Sequence, residues 1–310
     1  MYTRVLVPLD GSTLAEQVLP YVRLLAGPLQ APVHLLRVIE RPPLEISAQL
    51  NPRLYLERSE TSQKRQAQEY LEALAGPMRE AGVRVGTAVR VGIPALEILN
   101  EAAKEPDTLV AMSTHGRSGI GRWLVGSVTD KVLRASANPV LVIRPRESGV
   151  PPETKLEDII VPLDGSALAE QGLPHVVHLS KALNLSVTLF RVAARPTLYS
   201  SHDMQIPLGA YEQLCREAQE EATDYLRQVG QALRQQGVAT VRERVVQGHP
   251  AAAIVDFPVH APNCLFAMTT HGRSGVGRWL LGSVTDRVVQ HSGQPVLVIR
   301  AAADGSSTEI

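Results

Sequence analysis

Thr114-His-Gly-Arg-Ser-Gly-Ile-Gly-Arg-Trp-Leu-Val-Gly-Ser-Val-Thr-Asp130 returns as Thr270-His-Gly-Arg-Ser-Gly-Val-Gly-Arg-Trp-Leu-Leu-Gly-Ser-Val-Thr-Asp286. The copies differ only at Ile120/Val276 and Val125/Leu281. Each follows a short apolar run, Thr108 to Met112 or Cys264 to Met268, and leads into a run with helical patterning. The stretch therefore reads as a glycine-rich connection from a strand to a helix. Its glycines let backbone N–H groups come close to an anion. The helix expected from Ser127 or Ser283 presents unpaired N–H groups and the positive end of its dipole. Arg117 and Arg122, with Arg273 and Arg278, add positive charge. The plainer alternative is a tight turn whose glycines only permit positive φ. Two near-identical loops in halves that otherwise diverge favour phosphate capture.

Working outward, the loop belongs to an internal repeat. Val7-Pro-Leu-Asp-Gly-Ser12 returns as Val161-Pro-Leu-Asp-Gly-Ser166, an offset of 161 − 7 = 154, and His115 returns as His271, an offset of 271 − 115 = 156. Two copies of this size make two domains, expected at 1–145 and 157–300, joined by a linker rich in proline and charge. Arg4 to Leu9 is an apolar strand ending in Asp-Gly-Ser, and Ser12 or Thr13 can cap the helix after it. Pro20, matched by Pro174, should kink or interrupt that helix. Val33 to Ile39 is a second strand, 40–59 a long loop, and Gln63 to Glu80 a helix. A strand over 83–91, a helix opened by Pro94, the strand ending at Met112, the loop, a helix over 127–135 and a strand over 139–143 complete the copy. The second copy places strands near 158–163, 185–192, 240–246, 264–269 and 295–300, with a long loop at 193–208. Strands alternating with helices, the central ones almost wholly apolar, predict an α/β fold with a parallel sheet between layers of helix.

Composition limits the function. A chain of 310 residues with 44% hydrophobic and 20% charged residues suits globular domains. Lys+Arg and Asp+Glu both number 31, which argues against broad attraction to nucleic acid or an anionic membrane. No signal-peptide pattern and no apolar stretch of bilayer length is present, so a cytoplasmic location is expected. The two cysteines, Cys215 and Cys264, form no metal or redox motif and read as small hydrophobes.

Familiar fingerprints do not fit the loop. Gly121 to Gly126 has the glycine spacing of a Walker loop, but Ser127 stands where lysine belongs. The dinucleotide pattern fails because Gly119-Ile-Gly121 leads to Leu124, and Gly116-Arg-Ser-Gly119 is one residue short of a hydrolase elbow. Ligands of open α/β sheets sit beyond the carboxyl ends of the strands, where Asp10 and Asp164 also lie. A carboxylate there can accept from a base or sugar; it can equally form an Asx-turn.

The loop and the Val-Pro-Leu-Asp-Gly-Ser start together resemble the universal stress protein (UspA-like) family, once per half. Nucleotide-binding members of that family carry G-x2-G-x9-G-[ST]. Here the pattern reads Ser113-x2-Gly116-x9-Gly126-Ser127 and Thr269-x2-Gly272-x9-Gly282-Ser283, with Ser113 and Thr269 at the first glycine. The resemblance implies two Rossmann-like domains related by a pseudo-two-fold, each a five-stranded parallel sheet of order 3-2-1-4-5. It implies ATP, with Mg²⁺ as an accompanying ion, bound to a stress-response module that acts by nucleotide-dependent change of conformation or partner. Asp10 and Asp164 would lie beside adenine and ribose, and Val38 and Val192 would meet the adenine through their backbones. Gly116, Gly119, Gly126, Gly272, Gly275 and Gly282, with Arg117 and Arg273, would hold the phosphates. Ser127, Val128, Thr129, Ser283, Val284 and Thr285 would complete the set, the hydroxyls donating to phosphate. Val140 to Ile143 and Val296 to Ile299 would join the halves as an intramolecular pseudo-dimer, with a homodimer and an unidentified protein partner as further associations.

Three readings compete: a nucleotide-free scaffold, a slow ATPase, and a binder of AMP or a cyclic nucleotide. No general base with a water-positioning group stands out, so no catalytic residue is assigned. His115 and His271 read as loop-holding residues. His175 and His178 have the i, i+3 spacing of a metal pair but no third ligand. Trp123 and Trp279 read as anchors, and the helix faces of Tyr70, Tyr211 and Tyr225 as core.

Overall fold

The computed structural model describes residues 2–40, 52–114, 125–145, 154–193, 208–257, 263–271 and 281–301, with only the backbone at 52–59 and 208. The chain divides into two compact units, Met1–Thr154 and Lys155–Ile310. The first unit contains strands β1 (Arg4–Leu9), β2 (Val33–Ile39), β3 (Val85–Val91), β4 (Thr108–Ser113) and β5 (Val140–Ile143). Their order is β3-β2-β1-β4-β5, with every neighbour parallel. The second unit repeats the order with β6 (Asp158–Pro162), β7 (Ser186–Ala193), β8 (Val241–Gln247), β9 (Cys264–Thr269) and β10 (Val296–Ile299), arranged β8-β7-β6-β9-β10. Both follow the expected 3-2-1-4-5 pattern.

The central strands are apolar at successive positions because both faces are covered. Val5, Leu6, Val7, Val110 and Ala111 are fully buried, as are Ile159, Ile160 and Phe266 in the second unit. The covering helices are α1 (Thr13–Glu16), α2 (Leu19–Leu29), α3 (Pro52–Glu80), α4 (Pro94–Ala102) and α5 (Ser127–Ala135). Their counterparts are α6 (Ala167–Glu170), α7 (Leu173–Leu183), α8 (Leu208–Gln235), α9 (Pro250–Asp256) and α10 (Ser283–His291).

Pro20 produces a break rather than a kink. It stands in the first turn of α2, where its missing N–H costs little, and Pro174 does the same in α7. The long loop expected at 40–59 is too long: α3 already begins at Pro52. Proline suits the first helical position, so the residue taken as a loop marker opens the helix instead. Residues 41–51 and 194–207 lie outside the described residues.

In this strand order the chain leaves β1 toward β2 on one side and returns to β4 on the other. The carboxyl ends of β1 and β4 therefore flank the point where the order reverses, the usual place for a ligand.

Candidate functional site

At the end of β1 the chain turns sharply. Gly11 has φ +80°, which a side chain would strain, and Gly165 repeats it at +84°. Asp10 closes an Asx-turn: Oδ1 accepts from Ser12 N at 3.0 Å and Ser12 Oγ at 2.6 Å. Ser12 Oγ in turn accepts from Ala15 N at 3.2 Å and caps α1. Asp164, Ser166 and Ala169 form the same chain at 2.9, 2.6 and 3.2 Å. The turn fixes each carboxylate at the carboxyl edge of the sheet.

Behind the turn lies a cluster that the sequence reading missed. Arg37 interrupts the apolar run of β2, is 9% exposed, and its Nη1 donates to Leu9 O at 3.1 Å. Its guanidinium lies 5.9 Å from the ring centre of Tyr70, whose hydroxyl donates to Glu16 Oε1 at 2.9 Å. In the second unit Arg191 stacks on Tyr225 at 4.6 Å, and Tyr225 donates to Glu170 Oε1 at 2.8 Å. Burial first, then the bond to its glutamate, holds each phenol above its ordinary range, so both remain protonated donors. Tyr70 and Tyr225 are thus half-buried polar anchors at the site rather than plain core residues. The available signal was an arginine at the same place in two mainly apolar strands.

The return from loop to helix is held by two hydrogen bonds. Gly126 N donates to Thr114 O at 2.7 Å, and the buried Thr129 hydroxyl donates to Ser113 O at 2.9 Å. Gly282 N to Thr270 O and Thr285 Oγ1 to Thr269 O repeat them at 2.7 and 2.9 Å. In this structure the threonine hydroxyls expected on phosphate therefore donate to the preceding strand. Gly126 and Gly282 have φ of −55° and −58°, so neither is kept for positive φ. At Gly282 the reason is space, because a Cβ would lie 2.8 Å from Thr270 O.

Neither α5 nor α10 has a side-chain hydrogen bond at its N-cap. Among the described residues no side chain caps their first-turn N–H groups, and Ser127 and Ser283 are exposed there. In the first unit a cavity of about 730 Å³ opens between these parts. Asp10, Val38, Gly126, Ser127, Val128 and Thr129 all line it, with Arg37, Gln66, Tyr70 and Ser113. Asp164, Val192, Gly282, Ser283, Val284 and Thr285 occupy the equivalent strand and helix ends of the second unit. Gly116, Arg117, Gly119, Gly272, Arg273 and Gly275 lie outside the described residues, as do His115, Trp123 and Trp279.

His271 Nδ1 lies 3.1 Å from Thr270 Oγ1, a local contact, and Thr269 Oγ1 donates to His271 O at 2.8 Å. Among the described residues no group of three His, Cys, Asp or Glu is placed to hold a metal. Cys264 is fully buried, and burial followed by the Asp158 charge pushes its thiol up to about 12, which leaves it unreactive. Among the described residues no helix is long and apolar enough to cross a membrane.

The repeat seen in the geometry is also the repeat found by comparison. The universal stress protein family matches twice, over residues 1–144 and 155–300. A universal stress protein of Mycolicibacterium smegmatis is 26% identical over 302 residues, 96% of each chain. Universal stress protein MJ0531 of Methanocaldococcus jannaschii is 30% identical over 145 residues, 46% of this chain and 83% of its own. The crystal structure of a universal stress protein from Archaeoglobus fulgidus covers 98% of this chain and 99% of its own, with a TM-score of 0.68 at 19% identity. With both units matched almost end to end, the chain belongs to the universal stress protein family.

Proposed function

We propose that the chain is an ATP-binding module of the stress response, in which bound nucleotide changes conformation or choice of partner. The observation that carries this reading is convergence. The Asp10 turn, the end of β2 at Val38 and the uncapped start of α5 line one cavity of about 730 Å³. That volume lies within the roughly 300–1,000 Å³ usual for small-molecule sites. Its parts match the parts of a nucleotide. Asp10 offers an acceptor for ribose or base, the Val38 backbone offers an edge for adenine, and the α5 N–H groups face phosphate. Gly126 brings that backbone to the surface, and Ser127 adds an exposed hydroxyl beside it. Mg²⁺ would travel with the triphosphate, since among the described residues no cage of carboxylates is present.

Regulation follows without turnover. A ligand that favours one arrangement of the strand-to-helix connection shifts the population toward it. On this reading the two units form a pseudo-dimer in one chain, and association with a second chain or another protein is the regulated output.

The test is calorimetric titration of nucleotide-stripped protein with Mg-ATP. Saturable heat is expected, together with a rise in melting temperature that grows with ligand concentration. Asp10→Asn keeps the Asx-turn acceptor but removes the charge, and should weaken binding without unfolding the turn. No heat at several temperatures and no thermal shift would refute the nucleotide reading in favour of a scaffold.

A further inference from the structure

The two units share a backbone plan, yet three matched positions at the site differ in chemistry. The first is the residue at the end of β4 and β9. Ser113 lines the first cavity, is 6% exposed, and its Oγ has no hydrogen-bond partner among the described residues. Its counterpart Thr269 is also buried, but its hydroxyl donates to His271 O at 2.8 Å. Recruiting Ser113 to a ligand, by rotation about one side-chain torsion, breaks no bond and satisfies an orphan hydroxyl. Recruiting Thr269 breaks a bond to its own loop.

The second and third differences lie on the long helices. Ala67, Tyr70 and Leu71 of α3 match Ala222, Tyr225 and Leu226 of α8, an offset of 225 − 70 = 155. By that register Gln63 and Gln66, which line the first cavity, correspond to Ala218 and Glu221. Two neutral amides, each able to donate and accept, are replaced by a methyl group and a carboxylate. Glu221 Oε1 accepts from Arg191 Nη2 at 3.2 Å. Asp10, Glu16, Arg37 and Gln66 of the first unit match Asp164, Glu170, Arg191 and Glu221 of the second. Glu40 also lines the first cavity, and by the offset 191 − 37 = 154 its counterpart is Ala194, so the two sets carry the same summed charge and differ in where the carboxylate stands. At the matched helix position the first unit offers a neutral amide and the second a carboxylate. The Glu221 side chain is 73% exposed, so its repulsion of an anion is modest and screened by salt.

We infer that the two units are unequal sites: the first takes the anionic nucleotide tightly, with Gln66 and the Ser113 hydroxyl as ligand contacts, and the second, with Thr269 and Glu221 already bonded, takes it weakly. This rests on the nucleotide reading above and adds which unit is occupied first and what decides it. A lost hydroxyl contact and an exposed carboxylate in place of an amide together correspond to about a tenfold difference in affinity.

The experiment is Mg-ATP calorimetry on the full chain, with photolabelling by 8-azido-ATP and peptide mapping to assign each site. The wild type should show one tight site per chain with label in residues 1–144, and a second site about tenfold weaker. Ser113→Ala and Gln66→Glu should each weaken the tight site several-fold; Thr269→Ala should leave it unchanged. Glu221→Gln should strengthen the weak site, and that gain should shrink in high salt, which a purely structural effect would not do. Melting temperatures check that each variant folds, and Ser113→Thr, which transplants the second unit's residue, is a second variant at the same position. Two equal sites, label confined to the second unit, or a tight site indifferent to both Ser113→Ala and Gln66→Glu would overturn the inference while leaving the nucleotide reading intact. Absence of any binding in the wild type would overturn both.

Discussion

The amino ends of β1 and β6 begin with residues of opposite charge. Arg4 opens the first and Asp158 the second, each within 9% of full burial. Around Arg4 the first unit has assembled a network. Its Nε donates to Thr108 Oγ1 at 3.0 Å, its Nη2 to Glu101 O, and its Nη1 lies 3.3 Å from Glu105 Oε1. Glu101, itself buried, pairs with Arg90 at 2.9 Å and Lys104 at 2.7 Å. Asp158 has less. Oδ2 accepts from Thr188 Oγ1 at 2.6 Å, Arg242 stands 3.9 Å away, and Oδ1 is buried with no partner among the described residues. The backbone plan thus tolerates either sign at one position, but the quality of the solution differs. A buried charge is stable in proportion to the partners gathered around it, not to the presence of a nominal ion pair.

The largest effect should come from breaking the better network. Glu101→Ala takes the carboxylate from Arg90 and Lys104 and the more distant of two carboxylates, at 3.8 Å, from buried Arg4, which keeps Glu105; it should cost about 3 kcal/mol, read as a lower urea midpoint for the first unit. Asp158→Asn keeps an acceptor for Thr188 and removes a poorly compensated charge, so the second unit should change by less than about 1 kcal/mol. A loss at Asp158→Asn as large as that at Glu101→Ala would contradict the comparison.

Acid sharpens the contrast because the two carboxylates respond with opposite sign. Burial raises Glu101, but Lys104 and Arg90 outweigh it and hold the group below its ordinary 4.5. Its contribution is present above 4.5 and is lost as pH falls through the depressed folded value. Burial raises Asp158 above its ordinary 3.8, with Thr188 and Arg242 offsetting only part. The folded second unit therefore binds that proton more readily, and its stability rises as pH falls through the raised value toward 3.8. Denaturant midpoints followed separately for β1 and β6 peptides by hydrogen exchange should diverge on acidification, and Asp158→Asn should flatten the second curve.

A small effect, and a symmetrical one, should come from the tyrosines. Tyr70→Phe and Tyr225→Phe each remove one hydrogen bond to a glutamate, and each should cost about 1 kcal/mol. Unequal losses in thermal melts would mean that the two Arg–Tyr–Glu clusters are not equivalent.

These contrasts also show what a linear reading can reach. The central strands were legible because burial on both faces forces continuous apolar runs, and the strand order followed from the family pattern. The start of α3 was not legible, since Pro52 serves an opening turn as readily as a loop. Arg37, Tyr70 and Glu16 come from three elements and meet only once β2, α3 and α1 have packed. The bond from Thr129 was hidden for a related reason: the strand carbonyl that accepts from its hydroxyl at 2.9 Å is 16 residues away in the chain.

That threonine and Gly126, three residues before it, have a consequence for how the strand and helix are joined. The bonds from Gly126 N to Thr114 O and from Thr129 Oγ1 to Ser113 O join the strand to the helix across the base of the intervening segment. The strand and the helix are therefore tied to each other directly, by bonds that do not depend on the side chains between Thr114 and Gly126. The same two ties stand at Thr270–Gly282 and Thr269–Thr285, so each unit anchors its own helix start to its own strand end.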